Sequence, residues 1–290
     1  MVWRRMFVPL HGERDDRVVL ESAGKLADNF KAHLDVVLIK PDPASYVPPI
    51  GIGKLADEIR AELIKSAEDA WTETEDSLRK QFDTVVSKEE LAITEAPQGP
   101  GTASARFIAL TPDDAEETGL RYARASDVMI VAMPSKEQCN GAAAFAQRML
   151  LKSGRPVLSI PETGLRDEIN RVGVAWDHDD EVVRAVSSAM PFLAMASMVD
   201  VVTITDNLSA DAHPEDLVEY LAWRGIPAQA HRREPNYQTV GERLVEFMEE
   251  QNWDMIVMGA YGRGRFIERF FAGPTRGVPW KSTIPVLQSH

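Results

Sequence analysis

Gly259-Ala260-Tyr261-Gly262-Arg263-Gly264 opens a stretch, Gly259–Gly277, that holds five glycines and four arginines in nineteen residues. That combination can cradle an anion. Glycine lets the main chain come close to a ligand, and the first N–H groups of a following helix can point at it. Arg263, Arg265, Arg269 and Arg276 stand against a single Glu268, in a chain whose formal net charge is −13. Such a local inversion of sign favours an anionic ligand. The stretch follows the apolar run Asp254–Met258 and leads into Phe266, Ile267, Phe270 and Phe271, so it reads as a loop between a strand and a helix. Two phosphate motifs are excluded by spacing. No GxxxxGK[ST] occurs, and Gly262-Arg263-Gly264 lacks the third glycine of a dinucleotide fingerprint. On glycine spacing alone, a phosphate cradle and a tight structural turn are both open.

A second cluster is Asp177-His178-Asp179. Two carboxylates flanking an imidazole could clamp a divalent cation beside a triphosphate; the other reading is a solvated turn that caps the next helix. His11 reads as structural or solvent-facing, and His33, His213 and His231 have no partner at a diagnostic spacing. Cys139 is the only cysteine, which excludes an intrachain disulfide and a cysteine-rich zinc site. No Gly-x-Ser-x-Gly elbow occurs, so nothing supports a nucleophilic hydrolase.

The elements that must position these residues come in two copies. Met6–Leu10 is a short apolar run, followed by a helical pattern at Val18, Val19, Ala23, Leu26, Ala27 and Phe30 and then the β-branched run Leu34–Ile39. The order returns at Val172–Trp176, a helical stretch from about Asp180 to Ala196, and Asp200–Ile204. Four short matches keep the same order: DDRVV (15–19) with DDEVV (179–183), DVV (35–37) with DVV (200–202), DVMIV (127–131) with DMIVM (254–258), and RPVL (155–158) with IPVL (284–287). Four matches in order argue for internal duplication. Each copy alternates strand and helix, which predicts an α/β fold: two tandem domains, each a five-stranded, mostly parallel sheet with helices on both faces. The boundary falls in the polar segment Pro161–Glu168, giving domains 1–163 and 164–290. The run Lys54–Phe82, with Leu55, Ile59, Leu63, Ala67 and Ala70 at helical spacing, predicts an amphipathic helix packed on the sheet; a partner-binding arm is the alternative.

Bulk properties set outer bounds. The 290 residues are comfortable for two domains, and 44% hydrophobic with 27% charged residues is ordinary globular composition. The acidic balance argues against a general nucleic-acid binder. No apolar stretch approaches the length needed to span a bilayer. MVWRRMFVPL reads as a strand rather than a secretory signal, and the chain reads as cytoplasmic.

The segment DMIVMGAYGRGRFIERFFAGPTRGV, with the closing IPVLQSH, resembles the end of a universal stress protein domain of the tandem two-domain bacterial type. The resemblance covers nearly the whole chain and is strongest over Val172–Trp176 and from Trp253 onward. It implies a Rossmann-like fold of the adenine nucleotide alpha hydrolase kind and a non-enzymatic stress-response module. ATP-binding members carry Gly-x-x-Gly, nine residues, then Gly and Ser or Thr. Gly259 and Gly262 match the first part and Arg263–Phe271 the spacer, but Ala272 stands at the next glycine and Gly273 at the Ser or Thr. The resemblance implies that Gly259, Gly262 and Gly264 let the backbone approach an adenine nucleotide such as ATP. Gly273 and Thr275 would meet phosphate, and Arg263 and Arg276 would add charge. Asp177 would hold the nucleoside, with the ends of the second and fourth strands at Ile204 and Met258 alongside. Whether Mg2+ accompanies the nucleotide is left open. The first copy departs further, with His11 at the Asp position and Ala132-Met133-Pro134-Ser135-Lys136 in place of the glycines. In this family the last strands pair domains, which implies an intramolecular pseudo-dimer and allows a further homodimer. An interaction scaffold without nucleotide, or a slow ATPase, are the alternative functions.

Overall fold

Continuous apolar runs such as Val36–Ile39 and Val172–Ala175 bury both faces of a strand, which fits the interior of a parallel sheet. The computed structural model describes residues 2–46, 54–111, 114–133, 141–205, 213–234, 240–260 and 282–290. In the first half the order is β1 (Arg5–Leu10), α1 (Asp16–Phe30), β2 (His33–Ile39), α2 (Lys54–Lys88), β3 (Ala92–Ile93), β4 (Ser104–Leu110), α3 (Ala115–Arg124), β5 (Val128–Ala132), α4 (Gly141–Ser153) and β6 (Val157–Ile160). The second half runs β7 (Arg171–Ala175), α5 (Asp180–Leu193), β8 (Met198–Ile204), α6 (Pro214–Ala222), β9 (Ala228–Arg233), α7 (Val240–Gln251), β10 (Met255–Gly259) and β11 (Val286–Ser289).

Among the described residues the strands form one eleven-stranded sheet in the order β3-β4-β2-β1-β5-β6-β11-β10-β7-β8-β9. Read outward from the centre, β6-β5-β1-β2-β4 and β11-β10-β7-β8-β9 are the same sequence of strands. The duplication is therefore visible in the topology. All neighbours are parallel except β6 and β11, which meet antiparallel with Val286 opposite Ser159 and Gln288 opposite Val157. The last strands of the two halves thus pair within one chain.

Helices cover both faces. α1, α2, α5 and α6 enclose one apolar layer, around Leu20, Leu26, Leu78, Val186 and Leu217. α4 and α7 enclose the other, around Phe145, Met149, Phe247 and Met248. The first layer runs across the junction of the halves. There Trp3 packs edge-on against Phe30 at 5.6 Å and Phe192 at 5.1 Å, and its Nε1 donates to the Ser188 carbonyl at 3.2 Å. The connecting segment is tied to α1 by the Leu165 N–H on the Ser22 hydroxyl and by Lys25 with Asp167. Trp3 is 2% exposed, and large-to-small changes at such sites leave a cavity. Trp3→Ala is expected to cost about 3–5 kcal/mol in denaturant unfolding.

One helix departs from expectation. α2 reaches Lys88, and its packed face is carried by Leu78, Phe82, Val85 and Val86. Ile59 and Leu63 are 41% and 42% exposed, so the anticipated apolar stripe through them does not pack on the sheet. The physical reason is length: at about 1.5 Å per residue, a 35-residue helix outruns the seven-residue strands beneath it. Only its second half lies over the sheet. Among the described residues no helix is long and apolar enough to cross a membrane.

Candidate functional site

In open parallel sheets the ligand crevice lies beyond the carboxyl ends of the strands, where the strand order reverses. In the second half that point is between β7 and β10, because β7 connects onward to β8 on one side while β10 pairs with it on the other. Met258 is paired with Ala175, so the two strand ends deliver Gly259 and Asp177 to the same place.

Asp177 is half-buried at the end of β7 and accepts the Asp179 N–H at 3.1 Å. Burial pushes its carboxyl above the usual range, with the charges of Asp179 and Glu181 adding to the rise and backbone hydrogen bonds opposing it. Thr203 of β8 donates its hydroxyl to the Trp176 carbonyl at 2.9 Å, which locks the end of β7 to β8. Trp176 Nε1 is buried without an acceptor among the described residues. Ile204 and Met258 are buried in the second apolar layer, so only their main chain can face a ligand. Gly259 is needed for packing: a Cβ there would lie 2.8 Å from the Val182 amide nitrogen and 2.9 Å from the Glu181 Cβ. Its small size lets the first turn of α5 lie over the end of β10. Gly262, Arg263, Gly264, Gly273, Thr275 and Arg276 lie outside the described residues.

Among the described residues no group of three His, Cys, Asp or Glu is placed to hold an ion. Instead His178 Nε2 accepts the His213 N–H at 2.8 Å, and its ring stands edge-on to Trp176 at 5.0 Å.

The matching edge of the first half is filled from within. The amides of His11, Gly12 and Glu13 all donate to Asp16 Oδ2, at 3.2, 2.8 and 3.1 Å. Converging amides of this kind make an anion-binding concavity, and here the acceptor that fills it is the protein's own side chain. Burial pushes the Asp16 carboxyl up to about 7 against the pull of those amides. His11 is half-buried, its ring edge-on to Phe145 and its Nε2 out of reach of solvent, and burial lowers it to about 4. Trp71 of α2 lies 2.9 Å from where a Cβ on Gly12 would stand, and Lys40 pairs with Glu75 at 2.8 Å. α2 thereby closes over this edge.

Sequence reasoning missed a pair of buried ion clusters at the opposite, amino end of the strands. Asp35 takes Arg5 from β1 and Arg106 from β4, with His33 at 3.5 Å. Asp200 takes Arg171 from β7, Gln229 and His231 from β9, and Trp253 Nε1. Below them, Asp127 accepts the N–H groups of Arg4 and Arg5, and Asp254 those of Asn170 and Arg171. The signal was present: each repeated DVV begins with this aspartate about thirty residues after an arginine that opens a strand.

No protein-family model matches the chain, and no curated protein does. Solved structures do. A universal stress protein from Archaeoglobus fulgidus is similar over 98% of this chain and 94% of its own, at 16% identity and a TM-score of 0.65. A universal stress protein from Lactobacillus plantarum is similar over 54% of this chain and 97% of its own, at 15% identity; its TM-score of 0.35 carries no weight. The duplicated strand order and the full-length match agree: the chain has the fold of the universal stress proteins.

Proposed function

We propose that the second half binds an adenine nucleotide, ATP or a close analogue, at the carboxyl ends of β7, β8 and β10, and that the protein acts as a binding module of the stress-response kind rather than as a catalyst. The observation that carries this is the meeting of Asp177 and Gly259 at the reversal point of the strand order, directly before the glycine- and arginine-rich residues 262–276. A half-buried carboxylate there suits ribose hydroxyls, and a basic loop suits phosphates. The first half supports the assignment by contrast, since its amides are already taken by Asp16.

The first test is to denature freshly purified protein and identify any released nucleotide by chromatography and mass spectrometry. Calorimetry with ATP follows, on the parent, Gly262→Val and Asp177→Asn. Asp177→Asn removes a carboxylate that burial already disfavours, so the variant should fold normally. Its ATP affinity should fall by about tenfold or more, the worth of a hydrogen bond to a charged group. A protein that releases no nucleotide and gives no heat with millimolar ATP would instead act through its surfaces.

A further inference from the structure

Four non-glycine residues among those described have positive φ. Lys31, Glu90 and Asn252 follow the carboxyl ends of α1, α2 and α7, where a left-handed residue closes the helix. His178, at φ 67°, is different. It lies between a strand and the start of a helix, and its conformation is one that glycine adopts freely and histidine does not. Strain of this kind persists where the surroundings fix it, and it marks a place to look for function.

What fixes His178 is its ring. Nε2 accepts the main-chain N–H of His213, thirty-five residues away and immediately before α6. The bond ties the turn that carries Asp177 to the residue before α6, at the carboxyl edge of the second half. An imidazole nitrogen can accept only when it carries no proton, so this bond requires neutral His178 with its proton on Nδ1. A second proton turns the acceptor into a donor facing an N–H at the positive end of a helix. The bond must then break.

We propose that His178 is a proton-released clasp between the turn that carries Asp177 and the start of α6, and that it makes ligand occupancy of the second half pH-dependent. Charged and titratable groups surround it. Asp177 and Asp179 flank it in its own loop, and Asp180 and Glu181 open α5. From the start of α6 come His213 and Glu215, the latter engaged with Arg232. The second part of the proposal rests on the nucleotide reading above; the clasp itself does not.

The test is amide hydrogen exchange at His213 in the intact protein, without nucleotide, between about pH 8 and about pH 5, corrected for intrinsic exchange. Protection is expected to fall by about threefold to tenfold on acidification, the worth of one hydrogen bond. His178→Gln is the decisive control. The Oε1 of glutamine stands about where the imidazole Nε2 does and still accepts the N–H, but it does not titrate; its protection should stay high and not change with pH. His178→Gly relieves the backbone strain and removes the acceptor, so protection should be low at both ends. Constant protection in the parent, or a His178→Gln variant that follows the parent, overturns the clasp. ATP calorimetry on the same proteins separates the two readings. A pH dependence of affinity present in the parent and absent in His178→Gln supports coupling to the site. Equal pH dependence in both overturns the coupling. Absence of binding at either pH overturns the nucleotide reading and the coupling with it, and leaves the clasp to the exchange result.

Discussion

Asp200→Ala is expected to destabilise the protein by about 3–5 kcal/mol, the usual cost of stripping one partner from a buried ion cluster. The carboxylate is fully buried and receives bonds from Arg171 Nε and Nη2, Gln229, His231 and Trp253 Nε1. Truncation would leave the indole N–H and the amide of Gln229 without their acceptor, and it would leave the guanidinium of Arg171 facing a cavity. The ion pair also predicts acid sensitivity. Burial pushes Asp200 upward, but the bonds from Arg171, His231, Trp253 and Gln229 outweigh it and hold the group below its usual range. A carboxyl depressed by folding stabilises the protein above its unfolded value, near 3.8, and that contribution fades as pH falls through the folded value. Asp35, held low in the same way by His33, Arg106 and Arg5 against its burial, should act in parallel in the other half. Urea unfolding of the parent, Asp200→Asn and Asp35→Asn over a pH series should therefore show a flatter acid limb in each variant. A cost below about 1 kcal/mol for Asp200→Ala, with an unchanged acid limb, would remove this cluster from the account of stability.

Much of this architecture was legible because it rests on local rules. Continuous β-branched runs announced the strands, and four short matches announced the duplication. The segment Pro161–Glu168 falls between β6 and β7, where the chain crosses from one half of the sheet to the other. Legibility failed where a residue answers to a distant partner. Helical spacing at Ile59 and Leu63 is the same whether or not a sheet lies beneath, and only strand length decides that. Nothing near His178 in sequence signals that its ring accepts the amide of His213. The aspartates of the two DVV repeats read as the polar beginnings of strands, although Asp35 binds Arg5 and Arg106 and Asp200 binds Arg171, all from neighbouring strands. Of the glycine and arginine stretch only Gly259 and Ala260 lie among the described residues, and Gly259 has a packing reason for being glycine.

The two halves also differ in a compensating way, which supplies the second large effect. Aligning Arg5 with Arg171 and Asp127 with Asp254 places Phe7 opposite Gly173 and Ser126 opposite Trp253. The first half thus has a large residue on its first strand and a small one before its fourth, and the second half has the reverse. All three side chains are buried, and a Cβ added to Gly173 would stand 2.1–2.3 Å from three ring atoms of Trp253. The indole has little freedom to yield, because Nε1 is bonded to Asp200 at 2.8 Å and Phe247 packs edge-on at 5.6 Å. Gly173→Ala should therefore cost about 3 kcal/mol, the upper part of the range for overpacking. Trp253→Ser alone should cost about 3–5 kcal/mol through the cavity it opens. Gly173→Phe with Trp253→Ser recreates the arrangement of the first half. The double variant should be more stable than the sum of its single changes by about 2–3 kcal/mol, the upper range of coupling between residues that share a space. It should not reach the parent, since Asp200 loses the indole bond and the second half has Gln229 where Asp35 is paired with Arg106. Additive single and double effects in urea unfolding would mean that Phe7 and Trp253 do not fill equivalent space, and the two halves would then share strand order without sharing a core.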